Sequence, residues 1–221
     1  MHSKKPDATT NTFMRETTAI LYSFRRCPYA MRARMALAYA KISLQHREIL
    51  LKDKPKSMLD FSAKATVPVL VVDDQVIDES LDVMLWALDE SDADNWLLNN
   101  NKPLQNEMFE LIQCCDGKFK AQLDHYKYSD CHPLTEIEYR DESLWFLQLL
   151  NQQLKKHKYL LTDQVCMADI AIFPFIRQYA FVNKNWFDNN GYVYLHNWLE
   201  KWLKSELFLS VMQKHSLWVE N

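Results

Sequence analysis

The sequence predicts two domains in series, a small α/β domain followed by a larger all-α domain. Three observations carry this. Between Thr18 and Glu90, short β-prone apolar runs alternate with stretches of helical period; beyond Asp94 no convincing strand remains, only helical spacing; and the polar stretch "SDADNWLLNNNKP" at 91–103 separates the halves. The expected boundaries are a flexible tail over 1–16, an α/β domain over 17–92, a linker over 93–102 and a helical domain over 103–221.

In order, "TAILYSF" from Thr18 is a strand, and "PYAMRARMALAYAK" behind it is a helix with arginines between its Ala, Met and Leu positions. "LQHREILL" (44–51) alternates like a second strand, and "KPKSMLDFSAK" is a loop with one short helix. "VPVLVVDD" with "QVID" reads as a hairpin, and "ESLDVMLWALDES" returns to helical period. The second half offers helices over 104–126, 135–157, 168–181, 192–204 and 206–215.

Composition narrows the function. The chain has 221 residues, is 48% hydrophobic and carries a net charge of -3, so it affords a core and offers no bulk attraction to nucleic acid. Its basic residues are spread along the chain, and no apolar run reaches membrane-spanning length; neither nucleic acid nor a membrane is expected as a partner. The start "MHSKKPDATTNTFMRETT" lacks the apolar stretch of a secretory signal. Two glycines, Gly117 and Gly191, exclude a GxGxxG turn and a P-loop. Five cysteines at irregular spacing fit neither a disulfide framework nor a zinc site, so we expect reduced thiols in a cytoplasm and no metal.

Among those thiols Cys27 has a special context. A free cysteine is by default a buried core residue. Cys27, however, precedes Pro28 at a strand-to-helix junction, where proline suits the first helical turn. Unpaired N–H groups and the helix dipole then face its sulfur, and Arg25 and Arg26 add positive charge, so the thiolate is favoured. Ala30 stands where a dithiol would have its second cysteine. A disulfide at Cys27 therefore takes its other sulfur from elsewhere, most simply from a small-molecule thiol. Cys114 and Cys115 lie mid-helix and are expected to pack; Cys131, in "SDCHPL", is expected to be exposed.

Two segments downstream supply surroundings. Val67 and Pro68 open an apolar strand, where trans proline is the common form and a cis bond would turn the Val67 backbone outward to meet an extended peptide. Glu79 and Ser80 stand at a helix start, as an ordinary cap or as holders of an α-amino or α-carboxylate group.

Taken together, "CPYAMRARMAL", "LLKDKP", "TVPVL" and "DESLDVMLWAL" resemble, in order and spacing, the cytosolic glutathione transferase family in its cysteine-type, omega-like branch. The resemblance spans most of 18–215 and is strongest in the first half. It implies a thioredoxin-like N-terminal domain, an all-helical C-terminal domain, glutathione as cosubstrate and a homodimer. Residue by residue, Cys27 matches the cysteine that faces the glutathione sulfur, and Tyr29 belongs to the same segment of the glutathione site. Val67 matches the residue that pairs with the cysteinyl part, Pro68 the cis-proline, and Glu79 with Ser80 the pair at the γ-glutamyl end. Lys54, with Leu51 beside it, matches a lysine near the glycine carboxylate, in a variable loop. Tyr22 and Ser23 lie close to where other branches place an activating hydroxyl and are secondary to Cys27. In "VCMADIAIFPFIRQ" the family's helix-start cap is changed, with Cys166 at the cap and Asp169 retained as a structural residue.

The implied activity is single-cysteine thiol chemistry through a mixed disulfide with glutathione: thioltransfer, dehydroascorbate reduction or deglutathionylation of a small disulfide or electrophile. The alternatives are conjugation, with Cys27 only stabilising bound glutathione, and a non-catalytic binding module. The acceptor's pocket is expected between the domains, where Trp96, Phe109, Phe119, Tyr126 and Tyr128 offer aromatic surface, most of it core.

Overall fold

In the computed structural model, which describes residues 19–220, four strands form one mixed sheet in the order β2-β1-β3-β4. The tail expected over 1–16 lies outside the described residues. Strand β1 (Ala19–Ser23) leads through helix α1 (Pro28–Tyr39) to β2 (Leu44–Glu48), which pairs parallel to it. After the short α2 (Lys56–Phe61), the antiparallel hairpin β3 (Val69–Val72) and β4 (Gln75–Ile77) turns at Asp73, whose φ is 51°. Helix α3 (Ser80–Glu90) closes this thioredoxin-like unit.

All four residues of β3 are buried because the sheet is covered on both faces. Leu70 and Val72 face α1 and α3, while Val69 and Val71 join Tyr22, Met58 and Ile49 on the other side. The first of these layers is continuous with the core of the helical domain. Helix α1 packs against α3 on one side and against the second half on the other, and it is buried around most of its circumference.

Beyond the linker come α4 (Lys102–Cys114), a π-turn over Cys115–Phe119, and α5 (Lys120–Lys127). These are followed by α6 (Glu136–Glu142), α7 (Leu144–Lys156), α8 (Met167–Ala180), α9 (Lys184–Asn189), α10 (Val193–Leu203) and α11 (Glu206–Val211). No helix among the described residues is long and apolar enough to cross a membrane.

Four details depart from the sequence pattern. The helix expected over 135–157 breaks at Ser143, whose hydroxyl donates to the Arg140 carbonyl at 2.6 Å and lies 3.1 Å from the Tyr179 hydroxyl. The expected 104–126 helix contains the π-turn, around Gly117. Helix α9 was not anticipated. The last helix ends at Val211 rather than 215, because the chain beyond it becomes a strap on the N-terminal domain. Leu217 bridges to Glu48, Trp218 N–H donates to the Glu48 carbonyl at 2.8 Å, and the Trp218 ring meets Tyr22 edge-on at 5.8 Å. Glu220 accepts the Lys56 and Ser57 N–H groups at 2.9 and 2.8 Å, capping α2.

Candidate active site

Cys27 is the N-cap of α1, with extended backbone (φ -70°, ψ 123°) and Pro28 at the first helical position. It is half-buried, its sulfur lies 3.7 Å from the Val67 carbonyl oxygen, and the Val67–Pro68 bond is cis. The backbone of Ala30 and Tyr29, in the first turn of α1, favours the charged form of the sulfur without forming a cap hydrogen bond to it. The thiolate expectation needs correction on two counts. Burial outweighs the helix end and raises the thiol above its ordinary value, so the free protein holds Cys27 protonated at neutral pH. The cations that oppose this include Arg34 and Lys120, both distant in sequence, which the expectation left out.

Arg34 reaches Cys27's neighbourhood from about two turns along α1. It is buried and fully engaged, donating to the Ser23 hydroxyl at 2.6 Å, the Arg25 carbonyl at 2.8 Å and the Val211 carbonyl at 3.1 Å. It therefore fixes the loop bearing Cys27 against the end of α11. Desolvation lowers its own pKa to about 10, so it remains a cation at neutral pH.

Two clefts flank Tyr29. The larger, about 760 Å³, runs between the domains beside Cys27, Pro28 and Leu51 on one wall and Lys120, Arg177 and Phe181 on the other. The smaller, about 490 Å³, is lined by Val67, Pro68, Glu79, Ser80, Arg32 and Asp116. The two clefts meet at Tyr29, which packs edge-on against Phe175 with ring centres 4.9 Å apart. Lys54 lines neither, and Leu51 is exposed at the rim of the first.

Glu79 and Ser80 open α3 as the sequence suggested, yet their side chains diverge. The Glu79 carboxylate is out in solvent with Lys64 Nζ at 2.5 Å, whereas the Ser80 hydroxyl is buried and accepts from Arg32 Nε and Nη2 at 3.0 and 2.9 Å. Those two acceptor bonds leave its proton free to donate into the cleft. Arg32 is itself buried and binds Asp116 bidentately at 2.7 and 2.8 Å, tying α1 to the π-turn of the helical domain.

Arg32, Arg34, Asp116, Lys120 and Arg177 are site residues that sequence reasoning missed. One signal was present: Gly117 inside a helical pattern costs about 1 kcal/mol relative to alanine and marks a local irregularity, here the π-turn beside Asp116. Tyr22 and Ser23 lie outside both cleft linings. Tyr22 is buried, its hydroxyl donating to Ser57 at 2.9 Å and accepting from Arg47 at 2.5 Å, and Ser23 serves Arg34. Of the aromatic residues expected near the acceptor, Trp96, Phe119 and Tyr126 are core, Phe109 packs on it half-buried, and Tyr128 alone lines the larger cleft.

A thioredoxin-like sheet set across a cleft from an all-helical domain is the two-domain arrangement expected from the resemblance to the glutathione transferases. The family's N-terminal domain model matches residues 21–96 and its C-terminal domain model residues 146–201. A probable maleylacetoacetate isomerase of Caenorhabditis elegans is 31% identical over 169 residues, 71% of this chain and 77% of its own length. The glutathione S-transferase omega-1 of Sus scrofa is 28% identical over 198 residues, 88% of this chain and 76% of its own. The crystal structure of glutathione transferase Omega 3C from Trametes versicolor superposes with a TM-score of 0.74 at 19% identity, covering 90% of each chain. The chain belongs to the glutathione S-transferase family.

Proposed function

We propose that this protein is a glutathione-dependent thiol transferase with a single catalytic cysteine, Cys27. The observation that carries the reading is the position of that sulfur: at a helix N-cap, at the edge of the interdomain cleft, 3.7 Å from the Val67 carbonyl oxygen beside Pro68. Cys27 first gives up its proton to solvent, and the start of α1 favours the thiolate that results. The thiolate attacks the glutathionyl sulfur of a mixed disulfide RS–SG, forming Cys27–SG and expelling RS⁻, which takes up a proton. A second glutathione thiolate then attacks the Cys27-bound glutathionyl sulfur, releasing oxidised glutathione and Cys27. The net exchange is RS–SG plus glutathione to RSH plus oxidised glutathione.

In this reading glutathione lies along the smaller cleft. Its cysteinyl part pairs with the Val67 backbone beside Pro68 and Tyr29, and its γ-glutamyl end is held by Ser80, Glu79 and, beyond the motif residues, Asp116. Leu51 and Lys54 border the glycine end, with Lys54 swinging in from outside the cleft lining. The 17–92 domain would carry the glutathione and 103–221 the acceptor, in a cytoplasmic homodimer.

One observation favours a second reading, glutathione conjugation to an electrophile or an isomerisation of the kind named for the Caenorhabditis elegans relative. A thiol kept protonated by burial is a donor, able to stabilise a glutathione thiolate without attacking anything. Assaying wild type and Cys27→Ser with glutathione and a glutathionylated small thiol, or with an electrophile, separates the two. Loss of exchange in the serine variant supports the first reading; retained exchange, or conjugation alone in wild type, supports the second.

A further inference from the structure

We infer that the larger cleft takes an acidic second substrate, a small organic molecule bearing one or more carboxylates; this rests on the reading above, in which the acceptor lies beside the Cys27 sulfur. Four cations line the cleft, Arg26 from the loop before α1, Lys120 and Lys127 from α5, and Arg177 from α8, against one carboxylate, Asp124. Lys120 is already paired with Asp124. The other three have no acidic partner among the described residues: Lys127 donates to the Tyr128 hydroxyl at 2.8 Å, Arg26 lies over Phe24, and Arg177 over Phe181 and Phe208. On a chain of net charge -3, three uncompensated cations around one cleft are a local arrangement and not a reflection of overall composition.

Arg177 is the sharpest of them. Its Nε is buried without a hydrogen-bond partner among the described residues, and burial, followed by the nearby Arg25, works against its charge. A guanidinium in that state is costly to hold and is relieved by a bidentate carboxylate. Phe181 and Val182, on the same wall, suit the carbon skeleton of such a ligand. The field also serves the chemistry, since the leaving thiolate RS⁻ develops its charge in the same cleft.

The test uses two disulfides of equal length, dithiodipropionate and its uncharged diamide, each turned over with glutathione by wild type, Arg177→Gln and Arg26→Gln. We expect the dicarboxylate's KM to lie about tenfold below the diamide's in wild type, a ratio that shrinks roughly tenfold in Arg177→Gln. In Arg26→Gln, where the side chain is exposed and folding is not at stake, it shrinks about threefold, and molar salt removes most of it. No preference in wild type, equal changes for both acceptors, or a loss that falls on glutathione binding would overturn the proposal. If wild type turns over neither disulfide, the thiol-exchange reading fails and calorimetry with glutarate against its diamide decides the cleft alone. Heat of binding for glutarate that is lost in Arg177→Gln supports the acidic-ligand site, and no binding to wild type overturns it.

Discussion

Two cysteines in this chain stand at helix N-caps, Cys27 ahead of α1 and Cys166 ahead of α8, and beyond that shared position their surroundings are opposite. Cys27 is half-buried at the edge of a cleft, where Arg34 and Lys120 act on it with positive charge. Cys166 is fully buried and its sulfur lies 3.5 Å from the Asp169 carboxylate, so burial and a negative charge both push its thiol far up. A helix N-terminus alone therefore does not make a cysteine a nucleophile. Access and the sign of the neighbouring charge decide it.

Asp169 explains why the second site is structural. Its carboxylate accepts the N–H groups of Cys166 and Leu160, both at 3.1 Å, and Trp198 Nε1–H at 2.8 Å, joining the start of α8 to the preceding loop and to α10. The sequence pattern suggests an incomplete capping box, but both halves are present: the Asp169 carboxylate accepts the Cys166 N–H, and the Cys166 sulfur stands where a serine or threonine oxygen would face the Asp169 N–H.

The contrast breaks most visibly on substitution. Cys27→Ser is expected to lower thiol exchange by about a hundredfold or more with little change in melting temperature, since a hydroxyl cannot form the disulfide. Asp169→Ala is expected to do the reverse. It should remove about 3–5 kcal/mol of stability, read by denaturant unfolding, because three buried donors lose their partner together, while the remaining folded protein keeps its exchange activity.

The pH dependence sharpens the same comparison. Burial first of all raises the Asp169 carboxyl from 3.8 to about 6. A carboxyl whose folded pKa lies above its unfolded value stabilises the fold in its protonated form. That contribution is complete below pH 4 and is lost as pH rises through 6. The stability of wild type relative to Asp169→Asn should therefore fall by about 2 kcal/mol between pH 4 and 7, as seen by urea unfolding at each pH. A flat difference would contradict the assignment. At Cys27 the sign concerns reactivity. Without glutathione, alkylation by iodoacetamide should keep climbing with pH past the ordinary thiol range, and a plateau reached by pH 7 would show a thiolate. The smallest effect is expected at Cys166→Ser, which restores an oxygen cap: a gain of about 1 kcal/mol at most by thermal melting, with unchanged exchange.

What was legible in the sequence divides along a physical line. The strands, α1, α3 and α8 follow from period and from punctuation by Pro28, Pro68 and Asp169, all local signals. The break at Ser143, the π-turn at Cys115–Phe119 and the strap through Trp218 each depend on a partner far along the chain: Tyr179, Arg32 and Glu48. The candidate site divides in the same way. Cys27, Val67, Pro68, Glu79 and Ser80 were readable as ordered motifs, while the charges that tune the sulfur and fill the clefts were not. Arg32 and Asp116 meet across 84 positions, and the balance between the helix end and burial at Cys27 is set by packing that no motif encodes.

The most direct test of the single-cysteine account is the mass of one peptide. Incubated with oxidised glutathione and digested with trypsin under non-reducing conditions, the protein should yield "CPYAMR", residues 27–32, carrying one glutathionyl group that fresh glutathione removes. An unmodified 27–32 peptide from protein that still catalyses exchange would contradict the account.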